Sequence, residues 1–152
     1  MFKHILVPTD GSELSQEAVI WTVSFAREAG ARITFLCAVP SFPTMYLGPG
    51  AIFSDEAARL YHENAESAAR EILAGAAVLA LEAGVECSRQ VISSDRPYEV
   101  IVNAAAQNGC DLICMASHGR RGASALLLGS ETQKVLTHSY IPVLVHRTRV
   151  SR

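Results

Sequence analysis

The chain has 152 residues, 49% hydrophobic and 18% charged, with a formal net charge of −2. That length and apolar content suit one domain, spanning 1–152, with its own core, and exclude a disordered or fibrous chain. The near-neutral charge excludes nucleic acid or an anionic membrane as the principal partner, and no apolar run suffices for a signal peptide or a membrane span, so a soluble, cytoplasmic protein is expected.

His4-Ile5-Leu6-Val7 is a short β-type run that ends at Pro8. From Ser12 the period changes: Leu14, Ala18, Trp21, Phe25 and Ala29 recur at spacings of four and three, which predicts one face of a helix. Ser12 suits its N-cap, Glu13 its positive end and Gly30 its stop. A second strand is predicted over 33–39. The segment 41–50, SFPTMYLGPG, holds two prolines and two glycines and reads as a loop. A long helix follows over 55–83, with Ala65, Ala68, Ile72, Ala76, Leu79 and Ala83 expected to face inward and Gly84 ending it.

Residues 85–92 form a third strand with rough alternation. Pro97 fits the first turn of a third helix, with Val100, Ile101, Ala104 and Ala105 inward, ending near Asn108-Gly109. A fourth strand runs over 111–116, a short helix over 130–139 and a last strand over 142–145. Strands joined by helical crossovers run parallel, and continuous apolar strands fit a sheet covered on both faces. The expected fold is therefore α/β: a single doubly wound five-stranded parallel sheet, Rossmann-like, with the strand at His4 central.

Ligands of such sheets bind at the carboxyl ends of the strands, where the strand order reverses. That singles out Pro8-Thr9-Asp10 after the first strand, Val39 after the second and the stretch MASHGRRGASALLLGSETQKVL, residues 115–136, after the fourth. There Gly119-Arg120-Arg121-Gly122 reads as a flexible basic turn, and Gly129-Ser130 opens a helix. Glycines let backbone N–H groups converge on an anion, and a helix start adds unpaired N–H groups and a positive dipole end. Phosphate is the ligand this arrangement fits. The stretch is neither a P-loop, which needs a lysine after the second glycine, nor the G-x-G-x-x-G fingerprint. A reading without a ligand stands beside it: Ser130-Glu131-Thr132-Gln133 matches a capping box. Asp10, likewise, fits either a ligand contact or an Asx-turn.

The other candidates carry less. Cys37, Cys87, Cys110 and Cys114 form no C-x-x-C pair and read as buried thiols. His4, His62, His138 and His146 are scattered without metal-ligand spacing, whereas His118 adjoins the glycine stretch. No Ser/His/Asp set suggests a triad, and Gly122-Ala-Ser124-Ala-Leu lacks the second glycine of a nucleophile elbow. Neither a catalytic residue nor a metal ligand is assigned. Arg147, Arg149 and Arg152 read as a solvated tail.

Taken together, ILVPTDGSE at the start, Asp95-Arg96-Pro97, the string from Gly119 across nine residues to Gly129-Ser130, and IPVLVHR near the end resemble the universal stress protein family over essentially the whole chain. The family's nucleotide-binding members carry G-x-x-G-x9-G-[ST] after the fourth strand, and Ala116 stands here at the first glycine. The resemblance implies an adenine nucleotide α-hydrolase-like fold and ATP, with or without Mg²⁺, or a related adenine nucleotide as ligand. It implies that Asp10 and the backbone at Val39 meet the adenine and ribose. Gly119, Gly129, Ser130 and Thr132 then hold the phosphates, and Pro8, Thr9, Met115, Ala116, His118 and Glu131 complete the lining. It also implies a homodimer through the last strand, from Ile141 to His146. Three readings compete: a nucleotide-binding stress protein, a slow ATPase on the same site, and a nucleotide-free dimeric interaction module.

Overall fold

The computed structural model describes residues 1–41, 55–119 and 127–148. Residues 42–50 of the loop expected over 41–50, the basic turn at 120–122, Ser124, and Arg149 and Arg152 lie outside them.

The elements follow the expected order: β1 (His4–Pro8), α1 (Glu13–Ala29), β2 (Arg32–Val39), α2 (Asp55–Glu82), β3 (Cys87–Ser93), α3 (Pro97–Gln107), β4 (Leu112–Ala116), α4 (Ser130–His138) and β5 (Val143–His146). The five strands form one parallel sheet in the order β3-β2-β1-β4-β5, with β1 central as the sequence predicts. From β1 the chain winds outward to β2 and β3, then returns to β4 on the other side. The order therefore reverses between β1 and β4, and the candidate crevice lies at their carboxyl ends.

Alternate residues of each strand face opposite layers. Ile5, Val7, Ile33, Phe35, Cys37, Leu112 and Cys114 pack under α1 and α2. Leu6, Leu36, Ile113 and Met115 pack under α3 and α4, against Val100, Ile101, Ala104 and Val135. Burial on both faces is why these strands read as unbroken apolar runs.

Two helix faces differ from the expectation. α1 buries Ser15, Ala18, Val19, Thr22, Val23 and Ala26, not the stripe through Leu14, Trp21, Phe25 and Ala29. α2 buries Ala69, Leu73, Ala76 and Ala80, while Ala68 and Leu79 are exposed. In both, the most buried face is turned by about one residue: Ala18 and Ala76 belong to both stripes, while Phe25, Ala29, Ala65, Ile72 and Ala83 of the expected stripes pack partly buried against the same core. Small and β-branched residues let a helix approach the sheet closely, so they take the centre and the large rings go to the flank. Trp21 stacks there on Phe25, with ring centroids 5.3 Å apart, and tilts against His146 of β5 at 5.9 Å. The N-cap at Ser12 and the stop at Gly30, whose φ is +63°, are as expected.

Candidate functional site

Helices that follow parallel strands begin where the strands end, so the turns after β1 and β4 and the start of α4 meet at one edge of the sheet. The β1–α1 turn is held by its own polar groups. The Thr9 N–H donates to Leu36 O (2.8 Å), and the Thr9 hydroxyl bonds Ser15 Oγ (3.0 Å). Asp10 Oδ1 accepts the Ser12 N–H (2.9 Å), which is the Asx-turn weighed above. Pro8 pairs with Leu36 in the β1–β2 register.

Asp10 and Gly119 come together across the crevice. A Cβ placed on Gly119 would stand 2.6 Å from Asp10 Oδ2, so a larger residue there would have to push the Asp10 carboxylate aside. Val39, at the end of β2, is buried, and its carbonyl accepts the Ser94 N–H (2.9 Å).

The glycine at the start of α4 has a different task from the one expected. Gly129 is the N-cap, and its N–H donates to Ser117 O (2.8 Å), so this amide is engaged with the protein. A Cβ at Gly129 would lie 3.1 Å from Ser117 O and 3.3 Å from His118 Cα. The glycine thus permits α4 to begin against the end of β4. Ser130 is the first helical residue rather than the N-cap, and no side chain caps this end, which removes the capping box. Gln133 instead donates through its side-chain amide to Leu128 O (2.8 Å). The first backbone N–H to close a helical turn is that of Gln133, on Gly129 O (3.0 Å). Helix geometry leaves the N–H groups of Ser130, Glu131 and Thr132 without an intrahelical acceptor, at the helix end that abuts Ser117 and His118.

The remaining predicted residues separate. The buried Thr132 hydroxyl donates to Ala116 O (3.1 Å) and Ser117 O (3.2 Å), tying α4 to β4. Ala116 lies in β4, and among the described residues no non-glycine residue has a positive φ, so alanine at that position is unstrained. Met115 is a core residue of the α3–α4 layer. His118 is buried, its Nδ1 3.1 Å from Ser117 Oγ. Glu131 turns to α3: its Oε2 accepts the Tyr98 N–H (2.9 Å) and its Oε1 pairs with Lys134 (3.0 Å). Sequence reasoning assigned no role to Ser117, whose carbonyl receives both Gly129 and Thr132, or to Tyr98: Ser117 fills an unspecified position of the glycine motif and Tyr98 belongs to none. Among the described residues no helix is long and apolar enough to cross a membrane, and no cluster of His, Cys, Asp or Glu is arranged to hold a metal ion.

The universal stress protein family matches residues 1–147. The Thermus aquaticus universal stress protein encoded in the QAH/OAS sulfhydrylase 3′ region is 34% identical over 147 residues, which is 97% of this chain and 100% of that one. The solved structure of protein MJ0577 of Methanocaldococcus jannaschii, 26% identical, covers 99% of both chains with a TM-score of 0.84. A universal stress protein solved in complex with cAMP shares the fold at a TM-score of 0.70, with 24% identity over 97% of this chain and 99% of that one. So do an Archaeoglobus fulgidus protein with dAMP (0.64, 19%, covering 94% and 96%) and an Arabidopsis thaliana protein with AMP (0.69, 18%, covering 97% and 93%).

Proposed function

This chain belongs to the universal stress protein family, and on that premise we propose that it binds ATP or a related adenine nucleotide as a cytoplasmic, homodimeric stress-response protein. The phosphates lie over the first turn of α4, at the Ser130, Glu131 and Thr132 amides, with the Ser130 hydroxyl as a further donor. The ribose and adenine lie toward Asp10 and the end of β2 at Val39. The observation that carries this reading is the start of α4, which has no side-chain cap and abuts Ser117 and His118, next to the Gly119 that meets the Asp10 turn. First-turn amides, with the positive end of the helix dipole, favour an anion and need no lysine. The family members solved with cAMP, dAMP and AMP support an adenine nucleotide as that anion.

The direct test is to denature freshly purified protein, identify any released nucleotide by chromatography, and titrate the stripped protein with ATP, ADP, AMP and cAMP. Saturable binding of at least one is expected. Ser130→Ala is expected to weaken it by about 1.5–3 kcal/mol, one hydrogen bond to a charged group. Ala116→Gly is expected to leave affinity unchanged, because the extended backbone there has no need of glycine. No bound nucleotide and no saturation with any of the four overturns the reading and favours a nucleotide-free interaction module. Incubation with excess ATP separates binding from slow hydrolysis.

A further inference from the structure

Glu131 stands in the first turn of α4, the turn assigned above to the phosphates. A free carboxylate there would repel them. Instead the side chain reaches across to a second helix start. α3 opens poorly on its own: Arg96, at the N-cap, makes no side-chain cap hydrogen bond, and Pro97 has no N–H to offer. Tyr98 therefore supplies the first N–H that needs an acceptor, and Glu131 Oε2 takes it at 2.9 Å. The other oxygen, Oε1, receives Lys134 Nζ at 3.0 Å. The carboxylate thus caps α3 from outside and is neutralised on its far side.

The contact belongs to a longer seam. Lys134 lies 5.5 Å from the Tyr98 ring centroid, and the Tyr98 and His138 rings are 5.0 Å apart. Beneath them Val135 is fully buried against α3. On its opposite side the same first turn is pinned to β4 by the Thr132 hydroxyl and the Gly129 N–H. Glu131 is the hydrogen-bonding tie of that first turn on the α3 side.

We propose that Glu131 is a positioning residue of the nucleotide site: by capping α3 at the Tyr98 N–H it sets the first turn of α4 for phosphate and couples occupancy of that turn to the start of α3. This inference rests on the nucleotide reading. The test compares the wild-type chain with Glu131→Ala, which removes the acceptor, Glu131→Asp, which keeps the charge but shortens the reach, and Glu131→Gln, which keeps an acceptor without the charge. ATP affinity is read by calorimetry and Tyr98 amide exchange by NMR, each with and without ATP, after circular dichroism has checked the fold.

Glu131→Ala and Glu131→Asp are expected to weaken ATP by about three- to tenfold, the scale of one hydrogen bond, and to speed Tyr98 exchange. ATP should slow that exchange in the wild type and in Glu131→Gln, and Glu131→Gln should recover most of the affinity. Should Glu131→Ala not fold, Glu131→Asp carries the same comparison. Affinity unchanged or tighter in the shortened variants, with Tyr98 exchange insensitive to ATP, overturns the positioning role and leaves nucleotide binding standing. Equal weakening in all three variants also overturns it, because the acceptor that Glu131→Gln keeps within reach of the Tyr98 N–H then fails to restore the site. Failure of the wild-type chain to bind ATP, ADP, AMP or cAMP overturns both readings together.

Discussion

His4 begins the central strand with its Nε2 2.8 Å from Thr34 Oγ1 and little solvent around it. Burial, with Arg32 nearby, lowers its pKa below the ordinary 6.5; Asn108, Asp111 and Glu86 act the other way without reversing the shift. In the window below about 6.5 the unfolded chain therefore binds this proton more readily than the folded one. Stability contributed by the neutral ring is full above that window and falls as pH drops through it. Between pH 7.5 and 5.5 the urea midpoint of the wild type should fall more than that of His4→Gln; equal falls would remove His4 from the acid response. The cysteines give a second expectation at this scale. Burial pushes Cys110 and Cys114 up to about 11, and Cys37 is also buried; burial raises Cys87 too, against the pull of Arg89, but that thiol is partly exposed on an edge strand. A disulfide reagent at pH 8 should label Cys87 alone in the native protein and all four thiols in urea. Labelling of Cys110 or Cys114 without denaturant would mean that the sheet opens locally. The sequence reading anticipated the burial of Cys37, Cys110 and Cys114 but not the partial exposure of Cys87, nor the polar neighbours of His4, because Thr34 and Asn108 join it only through strand pairing and helix return.

The helix α4 was legible in its position and not in its fastening. Apolar period and turn residues locate it correctly, since those signals are local. Its cap is another matter: S-x-x-Q suggested Ser130, yet the Gly129 backbone takes that role because the chain must pass within van der Waals contact of Ser117 and His118. The bond from Glu131 to Tyr98 spans 33 positions, beyond any local pattern. The faces of α1 and α2 were only partly legible for a related reason. Hydrophobic period defines a stripe about a third of the helix wide, and the sheet then selects its close-packing edge of Ala, Val and Thr. These fastenings make testable claims. Thr132→Val keeps the shape but loses the donor to two buried carbonyls, and should cost about 1–3 kcal/mol in urea unfolding. Thr132→Ser should recover most of it. A neutral Thr132→Val would show that the hydroxyl does not hold α4 to β4. Gly129→Ala must displace backbone at Ser117 and His118 and should cost about 1–3 kcal/mol, with or without nucleotide present.

At the scale of the whole molecule the sheet has two edges of unlike character. β3 carries exposed Ser88 and Arg89, and a charged edge discourages pairing. β5 reads Val143-Leu144-Val145-His146, is half-exposed at every position and has no charged residue of fixed sign. An uncharged apolar edge of this kind is a template for another strand, which is the physical basis for the proposed homodimer through Ile141 to His146. The same edge borders the candidate site, since the Ser117 N–H donates to His146 O (3.0 Å). Trp21, the single tryptophan, lies against His146 and reports on this edge. Val143→Lys puts a charge where the second strand would lie. In sedimentation it should shift the protein from dimer to monomer, with the far-ultraviolet dichroism of the fold retained, and dilution of the wild type should alter Trp21 emission over the range in which its mass halves. Val143 also packs partly against the α3–α4 layer, so Val143→Ala serves as the packing control and should remain dimeric. A Val143→Lys protein that is folded and still dimeric would move the interface to another surface.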